Sequence, residues 1–383
     1  MTARLRMGIV GAGFVGVHHV DAVRRLGFVD IDAVAASSPE SARQKAEMLG
    51  ARRSFGDWRA LVADPGIDVV HIAAPNHLHV PIAAAALSHG KHVVCDKPLA
   101  PTAAEARALW DVARSSYRVA AVTFNYRGSA LVQHARELIA TGEAGPLHYV
   151  HGAYLQDWLL TPTDFSWRLE PDKGGESSAM ADIGTHWCDL VEHVTGLRIE
   201  SVLADLSTVV SQRQRGPGGE VFAVRSEDLA TVLIRFAGGA RGCVSIGQVC
   251  AGHKNDLWFE ASGQTASLRW HQERQNELWI GRREGGATVL PNDPVQLAPA
   301  ARMYARLPGG HQEGWSDAFF NVVRDIYRVI AADPGARIPL PRTFATFEDG
   351  YRAASIVEAV LDSHRRGGVW GDVGTPVYAG SER

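Results

Sequence analysis

The sequence predicts an α/β fold in two parts: a doubly wound parallel sheet, then an α+β domain with a large, predominantly antiparallel open sheet. Three observations carry this expectation. A glycine-rich turn, Gly11-Ala12-Gly13-Phe14-Val15-Gly16, stands between an apolar run and a helical pattern. Strand-like and helix-like segments then alternate as far as residue 126. Beyond Arg127 strand-like runs dominate. The 383 residues suit two domains of ordinary size, placed at 1–126 and 127–383.

The first strand is expected over the apolar run 6–10. The helix after the turn carries Val20, Val23 and Leu26 on one face and takes in His18 and His19. Residues 31–36 form the next apolar run. Strand, glycine turn, helix, strand is the context that gives the Gly-x-Gly-x-x-Gly spacing a meaning. Gly11 permits a tight turn, Gly13 lets backbone approach a pyrophosphate, and Gly16 lets the helix lie close on its strand. The helix start offers free N–H groups and a positive dipole end to phosphate oxygens. A Rossmann dinucleotide site is expected, with Gly11, Gly13, Phe14, Val15 and Gly16 against an NAD or NADP cofactor.

The alternation continues with a helix at 58–63, a buried strand at 68–73 and an alanine-rich helix at 80–89. A strand at 91–95, a helix at 102–115 and a strand at 118–123 follow. In such sheets ligands bind beyond the carboxyl ends of the strands. Pro75-Asn76, Asp96-Lys97-Pro98 and Asn125-Tyr126 all follow expected strand ends and should converge on one crevice. His77 and His79 read as part of a strand-end turn closing over the cofactor, with His79 a cofactor contact, and not as a metal site.

NAD-preferring folds place Asp or Glu about twenty residues past the glycines, to hold the ribose 2′-OH. Here that point reads Ala36-Ser37-Ser38-Pro39. A 2′-phosphate meets no carboxylate there, and Ser37, Ser38 and Arg43 are candidates to hydrogen-bond it. Ser38-Pro39-Glu40 also reads as the cap of the next helix, and both roles are compatible. The balance leans to NADP, with NAD or dual use left open.

The second part begins with an amphipathic helix at 130–140 and a strand at 148–156. A polar and aromatic stretch covers 157–175, and a helix is expected at 180–195. Strand-like runs at 201–211, 229–236, 240–249, 257–262, 266–270 and 278–280 then dominate, before helices at 314–331 and 346–364. In 229–236, Ala230, Val232, Ile234 and Phe236 share one face, with Thr231 and Arg235 opposite, the period of a half-exposed antiparallel strand. Gly216-Pro217-Gly218-Gly219 reads as a loop between two strands. A large open sheet has a second face to cover, so a homodimer or homotetramer is expected.

Composition narrows the function classes. A formal net charge of -3 gives no electrostatic reason to expect nucleic acid or a membrane surface as partner. The run after Met1-Thr2-Ala3 is broken by Gly11 and Gly13, so it does not read as a signal segment, and no stretch is apolar enough to span a bilayer. Cys95, Cys188, Cys243 and Cys250 form no Cys-x-x-Cys pair and read as reduced, buried thiols of a cytoplasmic protein. No metal is expected, since hydride transfer to nicotinamide needs none.

Five segments together make the chain resemble the Gfo/Idh/MocA oxidoreductase family. They are Gly11 to Gly16; Pro75-Asn76-His77-Leu78-His79; Gly90-Lys91-His92-Val93-Val94-Cys95-Asp96-Lys97-Pro98; Asn125-Tyr126-Arg127; and Asp182-Ile183-Gly184-Thr185-His186. The resemblance covers nearly the whole length. One departure is visible: Asp96 stands where the family usually has Glu, which keeps the charge and shortens the side chain. The run Tyr154-Leu155-Gln156-Asp157-Trp158, Ser166-Trp167-Arg168 and Gly310-His311-Gln312-Glu313-Gly314-Trp315 resemble a sugar-acting subgroup, the levoglucosan-type dehydrogenases.

The resemblance implies oxidation of a secondary hydroxyl of a sugar, anhydrosugar or polyol. It places Lys97, Asp182 and His186 at the catalytic positions. The residues themselves allow that chemistry. His186 can accept a proton near neutral pH. Asp182, four residues earlier on an expected helix, shares its face and can orient the imidazole or bind a neighbouring hydroxyl. Lys97 can donate to the reacting oxygen. Trp167 is expected to stack on nicotinamide or a sugar ring and Arg168 to reach the pyrophosphate or a hydroxyl. Tyr154, Gln156, Trp158 and His311 are expected at the substrate. Two further readings stay open: a glycosidase or lyase with transient sugar oxidation, and a cofactor-sensing regulator without chemistry.

Overall fold

A computed structural model gives the structure over residues 4–216, 218–332 and 343–374. Met1-Thr2-Ala3 and Pro217 lie outside the described residues. The chain begins with β1 (Leu5–Val10), α1 (Phe14–Leu26), β2 (Val29–Ala35), α2 (Pro39–Met48), β3 (Arg53–Phe55) and α3 (Trp58–Ala63). It continues with β4 (Val69–Ile72), α4 (His79–Ser88), β5 (His92–Cys95), α5 (Ala103–Ser116) and β6 (Ala120–Val122). The six strands are parallel in the order β3-β2-β1-β4-β5-β6. This is the Rossmann order, and its direction of winding reverses between β1 and β4, where a ligand crevice forms. β4 and β5 are buried along their whole length, as strands covered by helices on both faces must be.

The second part runs α6 (Ala130–Ala140), β7 (Leu147–Leu155), α7 (Pro171–Gly174), α8 (Thr185–Thr195), β8 (Ile199–Ser207), β9 (Gln212–Gln214) and β10 (Val221–Ala223). Then come β11 (Leu229–Phe236), β12 (Arg241–Gly247), β13 (Asp256–Gly263), β14 (Ala266–His271), β15 (Glu277–Arg282) and β16 (Ala287–Pro291). The chain closes with α9 (Pro299–Arg302), α10 (Trp315–Ala332), β17 (Ala345–Thr346), α11 (Phe347–Arg365) and β18 (Gly371–Asp372). Nine strands form one sheet, β16-β15-β14-β13-β7-β12-β11-β8-β18. Within it only β7 and β12 pair in parallel. The alternation in β11 holds: Ala230, Val232, Ile234 and Phe236 are buried while Thr231, Leu233 and Arg235 face out. The buried face packs on apolar residues of α6, α8 and α11. β9 and β10 form a separate hairpin across the glycine-rich loop.

Two features were not visible in the sequence. The expected single helix at 180–195 is a π-helical turn, Met180–Gly184, running into α8. The chain also returns to the first sheet late. α10 buries Phe319, Phe320, Val323, Ile326 and Tyr327 in one cluster with Met7, Ile9, Val20 and Val23. β17 adds an antiparallel edge to β6. A sheet face covered only by local helices would leave this apolar patch in water, and α10 removes it. At the crossover, Arg127 pairs with Asp189 of α8 (2.5 Å) and Asp349 of α11 (3.0 Å), with its side chain almost wholly buried. No helix among the described residues is long and apolar enough to cross a membrane.

Candidate active site

The strand ends and the π turn open onto one cleft of about 810 Å3. Of the expected site residues, Phe14, Val15, Asp96, Lys97, Asn125, Tyr154, Gln156, Trp158, Arg168, Asp182 and His186 line it. The glycine loop forms one end. Gly11 has φ +89°, a region costly for residues with a side chain, and a Cβ there would lie 2.4 Å from the Ala73 carbonyl oxygen. At Gly16 a Cβ would lie 2.5 Å from the Gly11 carbonyl oxygen. At Gly13, the N-cap of α1, it would meet nothing within 4 Å, and no side chain caps the helix. Open space before an uncapped helix start fits a pyrophosphate. Gly11 and Gly16 therefore shape the loop, and Gly13 leaves the room.

Beyond the carboxyl end of β2, Ala36-Ser37-Ser38 carries no carboxylate. Ser37 and Arg43 are exposed. Ser38 caps α2, its hydroxyl accepting the Ser41 N–H at 3.2 Å. That hydroxyl keeps its own proton to donate.

Asp182 is the hub of the other end. Lys97 Nζ donates to Asp182 Oδ1 at 2.7 Å and to the Asp182 carbonyl oxygen at 2.6 Å. Arg168 Nε lies 3.1 Å from the same Oδ1. Gln248 Nε2 donates to Oδ2 at 2.8 Å. Burial raises the Asp182 carboxyl, but Lys97 and Arg168 together outweigh it and hold the group well below the ordinary carboxylate range. Asp182 is a fixed anion, not a proton carrier.

This corrects the expected Asp182–His186 pair. Both carboxylate oxygens are already taken, Oδ1 by Lys97 and Arg168 and Oδ2 by Gln248. His186 makes no hydrogen bond to Asp182 among the described residues. Its Nδ1 is buried without a partner. Its ring sits edge-on to Phe124 (5.6 Å between centroids) and Tyr126 (5.1 Å), with Tyr154 at 6.2 Å. Burial first, then the Lys97 charge, lowers the imidazole well below its usual value, against the pull of Asp182. The imidazole is thus held neutral in an aromatic box.

Facing it is a chain of neutral hydrogen-bonding groups. Tyr126 and Tyr154 hydroxyls lie 2.9 Å apart, and Tyr154 donates to Asn255 Oδ1 at 2.6 Å. Gln156 Nε2 donates to the same Oδ1 at 3.1 Å, and Trp158 Nε1 donates to Gln156 Oε1 at 2.8 Å. His18, Thr123, Lys254, Asn255, Trp315, Ser316 and Phe319 also line the cleft. Lys254 and Asn255 were missed because a polar loop before a strand carries no pattern. In the sequence Trp315 stands out only through the resemblance, and His18 only as a helix residue.

Several expected contacts are elsewhere. His79 is buried, its ring nitrogens 2.7 Å from the Pro98 carbonyl oxygen and 2.8 Å from that of Ala74. It ties the ends of β4 and β5 behind the cleft. Asn76 is buried too and donates to the Gly174 carbonyl oxygen at 3.3 Å, with Pro75 beside it outside the lining. Trp167 supports Arg168, whose guanidinium lies 4.6 Å over its ring, and does not line the cleft. Arg168 itself lines the cleft, paired with Asp182. His311 is exposed in the loop before α10, 3.1 Å from the Pro308 carbonyl oxygen, and does not line the cleft either. Its motif neighbours, not its own position, bring α10 to the site.

Residues 5–124 match the oxidoreductase family GFO_IDH_MocA, NAD-binding Rossmann fold, and residues 132–269 match the GFO/IDH/MocA C-terminal domain. Levoglucosan dehydrogenase of Pseudarthrobacter phenanthrenivorans is 32% identical over 388 residues, covering 94% of this chain and 96% of that protein. The solved structure of a levoglucosan dehydrogenase with NADH and L-sorbose superposes with a TM-score of 0.90 at 32% identity, covering 97% of this chain and 99% of the other. An inositol dehydrogenase homologue from Azotobacter vinelandii, solved with NAD+, gives 0.86 at 30% identity over 97% and 98%.

Proposed function

The chain belongs to the Gfo/Idh/MocA oxidoreductase family, and on that footing we propose that it is an NAD(P)-dependent dehydrogenase acting on a secondary hydroxyl of a sugar, anhydrosugar or polyol. One observation carries the reading: Lys97, Asp182 and His186 meet in the cleft that also holds Phe14 and Val15 of the glycine loop. A nicotinamide cofactor held at the glycine loop by Gly13, Phe14 and Val15 would supply the hydride acceptor. The chain's own residues do the rest. Lys97, fixed by Asp182, presents a positive charge to the reacting oxygen and stabilises alkoxide character. His186, held neutral, accepts the hydroxyl proton. Tyr154, Gln156, Asn255 and Trp158 offer donors and acceptors of neutral character, which suit the remaining hydroxyls of a polyol.

The glycine loop and the edge of β2 hold the cofactor. The carboxylate-free Ser37-Ser38 edge with Arg43 supports acceptance of a 2′-phosphate, hence NADP as well as NAD. The outer face of the second sheet carries Leu203, Leu233, Cys243, His151, Glu260, Arg269, Trp279 and Val289 in one row across its strands. Leu233 and Val289 are exposed there, which supports a homo-oligomer formed through this face. The filled set of Lys97, Asp182 and His186 gives no support to a regulator without chemistry.

The test is absorbance of reduced nicotinamide with NAD+ or NADP+ and a panel of sugars, anhydrosugars and inositols. Net turnover with any of them supports the dehydrogenase. Tight cofactor binding with product release but no net reduction would favour transient oxidation instead. An affinity for NAD+ more than about tenfold above that for NADP+, about 1.4 kcal/mol, would remove the 2′-phosphate reading.

A further inference from the structure

β11 and β12 deliver two buried side chains to the π turn. Glu227, just before β11, accepts on one oxygen from Ser177 Oγ (2.6 Å), the Ser178 N–H (3.2 Å) and the Met180 N–H (2.9 Å). Gln248, just after β12, is fully buried. Its amide is held at both ends: Nε2 donates to Asp182 Oδ2 at 2.8 Å, and Oε1 accepts from Ser178 Oγ at 3.3 Å. Its backbone bonds Asp228 and Leu159, so the side chain has little freedom to move. The ionised Asp182 carboxylate can only accept, which fixes the amide with Nε2 toward it and leaves Oε1 to the Ser178 hydroxyl.

We propose that Gln248 is a positioning residue for the dehydrogenase chemistry. By occupying Asp182 Oδ2 with a neutral donor, it commits Oδ1 to Lys97 and Arg168 and keeps the carboxylate from turning toward His186. A carboxylate has two oxygens, and an unoccupied one in a buried site takes whatever donor it can reach. His186, with an unpartnered Nδ1, is the donor within the same turn of chain. An Asp182–His186 bond would favour the protonated imidazole and loosen Lys97. Gln248 thus separates the anion that holds the lysine from the base that accepts the proton. The inference rests on the proposed roles of Lys97, Asp182 and His186.

Gln248→Glu tests it with almost no change in shape. The charged groups around the introduced carboxyl are Asp182, Lys97 and Arg168, with His186 beyond Asp182, and Glu227 and Asp228 just before β11, the latter paired with the buried Arg213. While protonated, the introduced carboxyl donates to Asp182 Oδ2 as the amide does. Once ionised, it repels Asp182 and withdraws the donor. The ratio of Gln248→Glu to wild-type kcat is expected within about threefold at pH 6 and at least about tenfold lower at pH 9. Gln248→Leu is expected at least about tenfold down at every pH, with cofactor affinity retained. Thermal unfolding and cofactor titration show that each variant is folded.

A ratio that does not change with pH overturns the inference, provided Asp182→Asn is inactive in the same assay. An active Asp182→Asn overturns the catalytic reading beneath it instead.

Discussion

Lys97 Nζ lies 2.7 Å from Asp182 Oδ1 and 2.6 Å from the Asp182 carbonyl oxygen, so a single residue holds the lysine by both its side chain and its backbone. The lysine approaches from the end of β5, the aspartate from the π turn, and the contact joins the two parts of the fold at the cleft. Lys97→Ala and His186→Ala should each lower kcat by at least about a hundredfold, the scale of a lost charge stabiliser or general base. Steady-state turnover at saturating cofactor is the measurement. Near-normal rates in both variants would refute the assignment.

Burial and the Lys97 charge keep His186 neutral well below its usual range. The base form is therefore present throughout the neutral and mildly acid region. The logarithm of kcat/KM should stay level between about pH 7.5 and 6 on this account. An acid limb centred near pH 6.5 would contradict it.

Gly11 and Gly13 should separate stability from binding. Gly11→Ala places a methyl against the Ala73 carbonyl at positive φ and should lower the unfolding temperature, by at least about 1 kcal/mol in stability. Gly13→Ala meets no protein atom within 4 Å, so the unfolding temperature of the cofactor-free protein should hold. Cofactor affinity should nevertheless fall at least about tenfold, because the methyl fills ligand space. Unchanged affinity in Gly13→Ala would remove the pyrophosphate from this loop.

His19 and His71 are buried with their Nδ1 atoms 2.8 Å apart, and His71 Nε2 lies 3.0 Å from the Tyr327 hydroxyl. Burial lowers His19 to about 4 and His71 well below its usual value. The unfolded chain binds protons here before the folded one does. Stability from His19 is fully present above about pH 6.5 and is lost as pH falls toward 4, to a total of about 3 kcal/mol. Urea unfolding across that window should show the loss, with a shallower slope for His19→Asn by about one proton. An unchanged slope would show that His19 already carries its proton when folded.

The alternating first part was legible because strands buried on both faces read as apolar runs and the glycines mark one turn. Short elements were not. β3, β17 and β18 have two or three residues each, too few to show a period. The π turn left no local mark, since its partners Glu227 and Gln248 flank strands more than forty residues away. Lys97, Asp182 and His186 could be named, but not their pairing, because spacing gives a helix face and not which donor reaches a carboxylate first. His79 misled for a related reason: a histidine in a strand-end motif looks like a ligand contact until its two carbonyl partners are seen.

The late return of α10 and β17 to the first sheet bears on how this protein can be taken apart. A cut after residue 126 strips α10 from Val20, Val23, Met7 and Ile9 and leaves an oily surface that a soluble fragment does not tolerate. Asn321 adds a latch, donating to the Gly128 carbonyl at 3.0 Å beside the point where the chain leaves the first sheet. A transplant that exchanges cofactor preference with a relative must therefore carry residues 315–346 along with the first 126. The nucleotide half is a unit in space assembled from two stretches of chain, and recombination at a single junction would break it.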